Sequence, residues 1–314
     1  MTKERPGVVL DAFDAKRLPI SFSTGAVPAS RHRATDFFSL TKPRLNFLVV
    51  ITAAVGYYLG AGSSLDVLKW VEAVIGTALV AGGAAGLNQV SERDTDSLMW
   101  RTRTRPLAAQ RLTVTEATIF SMALATAGLA ILAGAANMLA TSLALATLIS
   151  YNIVYTPMKR YSQLATLVGA IPGALPPMIG WAAARGSLTG GAWALFAIVF
   201  VWQIPHFMAI AWLYRDDFRR AGFPLPPVVH PDGRSTARQA ILFSIFLVPV
   251  SLAPFVFHMA GQLYAAGALV GSLGLLATSA AFAGDRTDQR ARQLFIGSIT
   301  YLPLLWVLLI ADRL

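Results

Sequence analysis

The sequence predicts an all-α membrane protein with nine transmembrane helices. Hydrophobic residues make up 55% of its 314 residues and charged residues only 13%, a composition far from that of a soluble globular protein. From Pro43 onward, nine apolar runs have the roughly 17 to 25 residues that a helix needs to cross the hydrocarbon of a bilayer. The lipid bilayer is therefore the first partner that the sequence predicts.

A polar segment, residues 1–36, precedes these runs, and we expect a cytoplasmic tail with little fixed structure there, not a cleaved signal peptide. Residues 37–314 then form the transmembrane domain. The nine runs lie near residues 44–62, 68–91, 114–134, 137–155, 164–184, 191–213, 239–258, 262–283 and 293–311. Only GAAN joins the third run to the fourth, and MAGQ the seventh to the eighth, which predicts two tight helical hairpins.

The basic residues support this order because they alternate between the two sides of the membrane. Connections on one side carry 23 of the 26 Lys and Arg residues, and only Lys69, Arg185 and Arg313 fall on the other. The positive-inside rule then predicts a cytoplasmic N-terminus. It also explains the net charge of +10, so we expect no nucleic-acid partner.

Acidic residues cluster at the end of the second predicted helix. If that helix continues, Asn88, Glu92 and Asp96 span only about 80° of one face, and Asp94 points elsewhere. The chain has no cysteine, so a metal here would be held by oxygen, and Mg²⁺ takes one or two carboxylates together with water and phosphate oxygens. The alternative is a solvated helix end whose acids balance neighbouring arginines.

Three alternating arginines follow this cluster. Pro106 disfavours helix at the residue before it, so we expect Arg101, Arg103 and Arg105 to lie on one side of an extended segment. Guanidinium groups bind phosphate oxygens bidentately, which makes the row a candidate diphosphate site. The positive-inside rule alone also calls for arginines at this position.

The sixth predicted helix carries polar residues inside the membrane. If it runs on to Asp217, then Gln203, His206 and Asp217 fall within about 60° of one face, with His206 about 16 Å deeper. Pro205 would break or kink this helix. His206 either lines a cavity or bonds a neighbouring helix. Asp217 is a second candidate ligand for the metal ion, and Arg215 is a further candidate ligand for phosphate.

Further candidates lie around the fifth predicted helix. Lys159 and Arg160 precede it at the same membrane surface and could reach a diphosphate. Its many Gly and Pro residues would distort it and allow close approach of a ligand or a neighbouring helix. The rings of Tyr155 and Trp181 could face a carbocation or a porphyrin, although such rings are also common packing and interface residues.

The motifs together resemble a known family. NQVSERDTDSLMWRTRTRPL, YTPMKR, GAIPGALPPMIGW, WQIPHF and YRDDFRRAGFPLPPV are similar to motifs of the UbiA superfamily of intramembrane prenyltransferases. The resemblance runs from about residue 38 to the C-terminus. PGALPPMIGW together with WQIPHF is typical of the branch that acts on heme. Two departures are Glu92, where many relatives have Asp, and Ala165, where members have Asn.

The resemblance implies a UbiA-type fold of nine helices around a central cavity in the bacterial inner membrane. It implies transfer of the farnesyl group of farnesyl diphosphate to a vinyl group of heme b, with heme A synthase or terminal oxidases as possible partners. The implied ligands of Mg²⁺ are Asn88, Glu92, Asp96 and Asp217. The implied diphosphate ligands are Arg101, Arg105, Lys159, Arg160 and Arg215. The implied heme or cavity residues are His206, Gln203, Tyr155 and Trp181.

Two other functions remain open. A related prenyltransferase would use the same diphosphate chemistry on an aromatic acceptor such as 4-hydroxybenzoate. A transporter would need polar residues at the midplane of several helices, and apart from Gln203 and His206 the predicted spans are nearly free of them.

Overall fold

The computed structural model describes residues 33–314, and this part of the chain is a bundle of α-helices. The helices are α1 Arg33–Leu40, α2 Pro43–Gly60, α3 Val67–Leu98, α4 Val114–Ile131, α5 Met138–Ile149, α6 Thr156–Met158, α7 Ala165–Arg185, α8 Gly190–Leu213, α9 Arg215–Arg220, α10 Pro226–Val229, α11 Arg234–Ser251, α12 Ala253–Val256, α13 Gln262–Gly284 and α14 Asp288–Ala311. Two π-helical turns, Leu132–Ala136 and Ser150–Tyr155, extend α4 and α5. The described residues form no β-strand beyond a single bridge between Ala260 and Arg313.

The predicted membrane spans are present as helices. Within residues 33–314, eight helical segments are long and apolar enough to cross a bilayer, and α1 with α2 passes the same test as a pair bent by 46°. The chain is therefore an integral membrane protein. Asn137 caps α5 by accepting the N–H of Ala140 at 2.9 Å, and it closes the predicted hairpin between the third and fourth spans.

The folded part begins earlier than the predicted boundary at residue 36. Helix α1 starts at Arg33, and Asp36 is buried in an ion pair of 2.9 Å with Arg111. This pair and the burial of Leu40 hold α1 against the end of the bundle. Residues 33–36 therefore belong to the helical domain, whereas the rest of the expected tail lies outside the described residues.

Helices α2 and α7 pack at very close range. A Cβ atom built on Gly180 would lie 1.9 Å from the carbonyl oxygen of Ala53, and one on Gly56 would lie 2.1 Å from the carbonyl oxygen of Pro177. Only glycine fits these positions. The predicted close approach of a neighbouring helix is thus confirmed, and α7 remains one helix despite its three internal prolines.

Helix α8 lies in the core of the second half of the bundle. Its buried face, which includes Ile198, Ile204 and Met208, packs against α7, α11 and α14. Pro205 lies inside this continuous helix, so the break considered at Pro205 does not occur. These packed helices fix the position of the short helix α9 that follows.

Candidate active site

Helix α3 continues past the membrane-length run and carries the first acidic motif on its last turns. It is unbroken from Val67 to Leu98, so Asn88, Glu92 and Asp96 share one face, and their exposed fractions are only 1%, 5% and 1%. Asp94 is exposed. The helical spacing expected from the sequence is therefore confirmed. The helix end is buried and not solvated, although Asp96 does pair with a neighbouring arginine, Arg105.

Each residue of this face has a partner from another part of the chain. Lys159 Nζ donates to Glu92 Oε1 at 2.9 Å. Arg105 Nη1 donates to both carboxylate oxygens of Asp96, at 2.9 and 2.8 Å. Buried carboxylates require such partners because an unpaired charge in an apolar interior is strongly destabilising. The face is thus a network of alternating charges.

Asn88 joins the same network although it carries no charge itself. Its Oδ1 accepts a hydrogen bond from Lys42 Nζ at 2.7 Å, and its Nδ2 donates to Thr156 Oγ1 at 3.0 Å. Thr156 Oγ1 in turn donates to the carbonyl oxygen of Tyr151. The amide is therefore held in one orientation between α2 and the segment before α7.

Lys159 remains charged in this setting. Burial opposes its ammonium form, but Tyr155 and Glu92 nearby outweigh burial and raise the pKa of Lys159 above its ordinary value. A cation is thus fixed beside the acidic face at physiological pH. The Lys159 ammonium can pair with an anionic ligand as well as with Glu92.

The second acidic motif does not continue α8. That helix ends at Leu213, and the backbone of Tyr214 leaves helical geometry before α9 begins, so the expectation of one helix through Asp217 is wrong. The break turns the carboxylate of Asp217 toward the loop after α3. There it accepts the backbone N–H groups of Trp100 and Arg101, at 3.2 and 3.3 Å.

Asp217 is buried, and it also pairs with Arg220 on its own short helix. Both of its carboxylate oxygens therefore have partners in the loop or in α9. Through these contacts the second acidic motif is tied to the chain segment that leads from Asp96 to Arg105. The two acidic motifs lie at the same end of the bundle.

The arginine row is a series of turns and not the extended segment that we expected. The N–H of Arg103 donates to the carbonyl oxygen of Met99 at 2.9 Å, and that of Arg105 to Thr102 at 2.9 Å. A proline restricts only the residue before it, so the rest of the row is free to close these backbone hydrogen bonds.

The three guanidinium groups accordingly point to different places. Arg101 lies 5.0 Å from the ring centre of Tyr214, and Arg103 lies 3.4 Å from that of Trp100. Only Arg105 contacts the acidic face. Burial and the nearby Arg105 lower the pKa of Arg101, which makes an anionic ligand beside Arg101 favourable.

Two other predicted phosphate ligands lie at the edge of the site. Arg160 donates to the carbonyl oxygen of Ser91 at 2.9 Å and is exposed. Arg215 pairs with Asp288 at 2.7 Å and lies over the ring of Trp212. Arg160 is therefore at the rim of the acidic face, whereas Arg215 is directed toward the start of α14.

His206 contacts a neighbouring helix. Its Nδ1 is 2.8 Å from Ser298 Oγ in α14, and its ring is stacked between those of Trp202 and Phe295. This is the helix-to-helix hydrogen bond that the sequence left as an alternative to a cavity position.

The other predicted heme residues are spread through the bundle. Gln203 Nε2 donates to the carbonyl oxygen of Ala170 at 3.1 Å, between α8 and α7. The ring of Tyr155 lies 4.6 Å from Lys159 Nζ, at the acidic end. Trp181 is near the other end of α7, roughly 24 Å along that helix from its start. Trp181 therefore lies far along the bundle from Tyr155, and Gln203 contacts the part of α7 between them.

The donor atoms suit one kind of metal. Within residues 33–314, no three acidic or histidine side chains are close enough to hold an ion by themselves. Carboxylate and amide oxygens are nevertheless the ligands that Mg²⁺ accepts, and Mg²⁺ commonly takes most of its shell from water and phosphate. The site fits a Mg²⁺ ion that arrives with a phosphate-bearing substrate.

Lys42 and Thr156 are site residues that the sequence analysis missed. The available signal was a lysine directly before Pro43 at the start of the first span, in LTKPRL. A basic residue there is also expected from the positive-inside rule, so the motif alone does not distinguish the two roles.

Comparisons with known proteins identify the family of this chain. The model of the UbiA prenyltransferase family matches residues 49–307. A protoheme IX farnesyltransferase from Solibacter usitatus is 46% identical over 287 residues, covering 88% of this chain and 98% of the relative. The protoheme IX farnesyltransferase of Koribacter versatilis is 42% identical, covering 88% of this chain and 93% of the relative. That of Opitutus terrae is 40% identical, with coverages of 91% and 97%.

The fold is also found in solved structures. A digeranylgeranylglyceryl phosphate synthase matches with a TM-score of 0.76 at 15% identity, covering 89% of this chain and 98% of that one. A UbiA homolog from Archaeoglobus fulgidus bound to GPP and Mg²⁺ matches with a TM-score of 0.61 at 18% identity, with coverages of 88% and 99%. At these identities the likeness concerns the fold alone. Because the family model matches most of this chain, residues 49–307, the chain belongs to the UbiA prenyltransferase family.

Proposed function

We propose that this chain transfers the farnesyl group of farnesyl diphosphate to a vinyl group of heme b, which forms heme O and releases diphosphate. The observation that carries the proposal is the identity of 40 to 46% with protoheme IX farnesyltransferases over nearly their full length. The buried charge network at the end of α3 supports prenyl transfer because a leaving diphosphate needs fixed positive charge.

In this proposal Asn88, Glu92 and Asp96 hold Mg²⁺ from α3, and Asp217 contributes from α9. Mg²⁺ held by these residues would neutralise charge on the diphosphate. Lys159 and Arg105 exchange their carboxylate partners for diphosphate oxygens as the substrate arrives. In the structure, Lys159 and Arg105 lie within 3 Å of the carboxylates of Glu92 and Asp96. Replacing these carboxylate partners by diphosphate oxygens therefore needs only side-chain movement. Arg101 and Arg160 then complete the basic rim around the leaving group, and Arg215 joins them by leaving Asp288.

The reaction divides into two bond changes. The bond between the first carbon of the farnesyl group and the diphosphate oxygen breaks, and its electron pair leaves with the diphosphate. The heme vinyl group then donates its π electrons to the allylic cation and forms a carbon–carbon bond. Water adds to the resulting heme cation and loses a proton, which leaves a hydroxyethylfarnesyl substituent.

Aromatic and polar side chains of the bundle supply the rest of the site. Tyr155 presents its ring beside Lys159 and in this proposal faces the allylic cation. His206 contacts heme through Nε2, because its Nδ1 bonds Ser298. Gln203 and Trp181 line the apolar wall. We place the acidic end on the cytoplasmic side of a bacterial inner membrane, with heme A synthase or a terminal oxidase as recipient of the product.

The proposal is tested by a choice between acceptors. Purified protein in lipid nanodiscs is incubated with Mg²⁺ and labelled farnesyl diphosphate, and either heme b or 4-hydroxybenzoate is added. Label that enters heme supports the proposal. Label that enters only the phenol identifies a prenyltransferase of the other branch, and label in neither acceptor favours a transport function.

A further inference from the structure

The break between α1 and α2 brings an additional base to the acidic face. Lys42 lies at this break with φ 48° and ψ 58°, a left-handed conformation that residues other than glycine rarely adopt. Pro43 follows it and starts α2. This geometry directs the lysine side chain inward, where Nζ donates to Asn88 Oδ1 at 2.7 Å.

The ammonium group of Lys42 has a neutral partner but no acid of its own. Among residues 33–314, none of the ion pairs within 4 Å includes Lys42. The acids that act on it electrostatically, Glu92 and Asp96, are each paired with a different base. A cation withdrawn from water without a paired anion is unfavourable unless a ligand supplies the anion.

Three chain segments thus deliver bases to one face of α3. Arg105 comes from the loop after α3, Lys159 from the segment before α7, and Lys42 from the break before α2. Glu92 and Asp96 balance only two of these charges. The excess positive charge lies where a diphosphate would bring several negative charges.

We propose that Lys42 binds the diphosphate of the prenyl substrate directly, an inference that rests on the proposed function. An ammonium has three N–H donors, and one of them goes to Asn88. The others are available to phosphate oxygens as charge-assisted hydrogen bonds. Lys42 would then link the diphosphate to Asn88, and the left-handed turn would fix the distance between them.

The first test measures binding, with farnesyl S-thiolodiphosphate as an unreactive probe and calorimetry as the readout. Lys42→Met should weaken binding of this probe in the presence of Mg²⁺ by about ten- to a hundredfold, as expected for the loss of a charged hydrogen bond. Lys42→Arg should restore most of the affinity. Binding of farnesol, which has no phosphate, should not change.

Arg44→Met is the matched control, because Arg44 is an exposed base two residues along the chain. The affinity of the Arg44→Met variant for the probe should stay within about twofold of the wild-type affinity. If Lys42→Met does not fold, Lys42→Asn replaces it, since asparagine tolerates the left-handed backbone. Equal probe affinity in wild type and in the folded Lys42 variant would overturn the inference.

A double-mutant cycle separates direct binding from an effect through Asn88. If Lys42 binds phosphate directly, Lys42→Met should weaken probe binding in an Asn88→Ala background as well. If it acts only by orienting Asn88, it should have no further effect there, and the inference would be wrong. A wild-type protein that fails to bind the probe with Mg²⁺ would instead reject the proposed function, and the role of Lys42 with it.

Discussion

Glu92 and Asp96 are nearly inaccessible to solvent, yet each has a base within 3 Å from outside α3. Their positions on one face of α3 could be predicted from spacing alone, because the helical period is fixed. Their partners could not be predicted. Lys159 reaches Glu92, and Lys42 reaches Asn88, only after several helices have packed, and sequence separation carries no information about those contacts.

Replacing Asp96 with Asn should lower the rate of farnesyl transfer by at least about a hundredfold, because the variant loses charge at the metal and the anchor of Arg105. The protein should remain folded in the membrane. The matched control is Asp94→Asn, since Asp94 is exposed two residues away and, among residues 33–314, pairs only with Arg93. Steady-state rates of both purified variants check this. Comparable rates in the two variants would remove Asp96 from the site.

The pair of Glu92 and Lys159 should matter for stability as well as for binding. Lys159→Gln alone leaves a buried carboxylate without a cation, so we expect a loss of about 3 kcal/mol. Glu92→Gln combined with Lys159→Gln removes both charges and should recover much of that loss while remaining inactive. Thermal unfolding in detergent measures the series. A double variant less stable than Lys159→Gln would contradict the pairing.

At the scale of helices, length and hydropathy were sufficient to predict the spans, and local breaks were not. The extension of α3 to Leu98 follows from its helix-compatible polar residues. The apolar run near residues 191–213 ends where α8 ends, but the break between Leu213 and α9 was not predicted, because no proline or glycine marks it and the continuation still has helical residues. The turns of the arginine row depend on backbone hydrogen bonds that hydropathy does not report.

The contact of α2 with α7 can be tested through one glycine. Gly180→Ala would place a methyl group against the carbonyl oxygen of Ala53 and should destabilise the protein by about 1 to 3 kcal/mol. Gly274→Ala is the control, because a Cβ there meets nothing within 4 Å, and it should be neutral or slightly stabilising. Thermal unfolding of both variants in detergent is the measurement. If Gly180→Ala were as stable as Gly274→Ala, α2 and α7 would not pack as closely at Gly180 as the structure shows.

At the scale of the whole molecule, the family and the spans of residues 33–314, eight helices and the bent pair of α1 and α2, could be predicted from the sequence. Apolar length, alternation of basic residues and the quoted motifs all pointed to them, and each is a property of contiguous chain. The arrangement of the predicted heme residues could not be predicted from the sequence. His206 contacts α14, Gln203 contacts α7 and Trp181 lies against Gly191 of α8, and these neighbours depend on how the second half of the bundle packs.

The orientation of the bundle is open to direct labelling, because the chain contains no cysteine. Ser97 follows the acidic motif of α3, and Ser187 follows α7 at the other end; both are exposed. A membrane-impermeant maleimide added to intact cells should label Ser187→Cys and not Ser97→Cys. In lysed cells both cysteine variants should be labelled, and the cysteine-free parent protein should not be labelled in either preparation. Labelling of Ser97→Cys in intact cells would reverse the proposed topology.

Transfer of a farnesyl group to heme is measured most directly by mass spectrometry of the recovered heme. Wild-type protein incubated with Mg²⁺, farnesyl diphosphate and heme b should yield heme whose mass has increased by one farnesyl and one hydroxyl group. Asp94→Asn should give the same product, and Asp96→Asn only unchanged heme b. If wild-type protein consumes farnesyl diphosphate but leaves the mass of heme b unchanged, heme is not its acceptor.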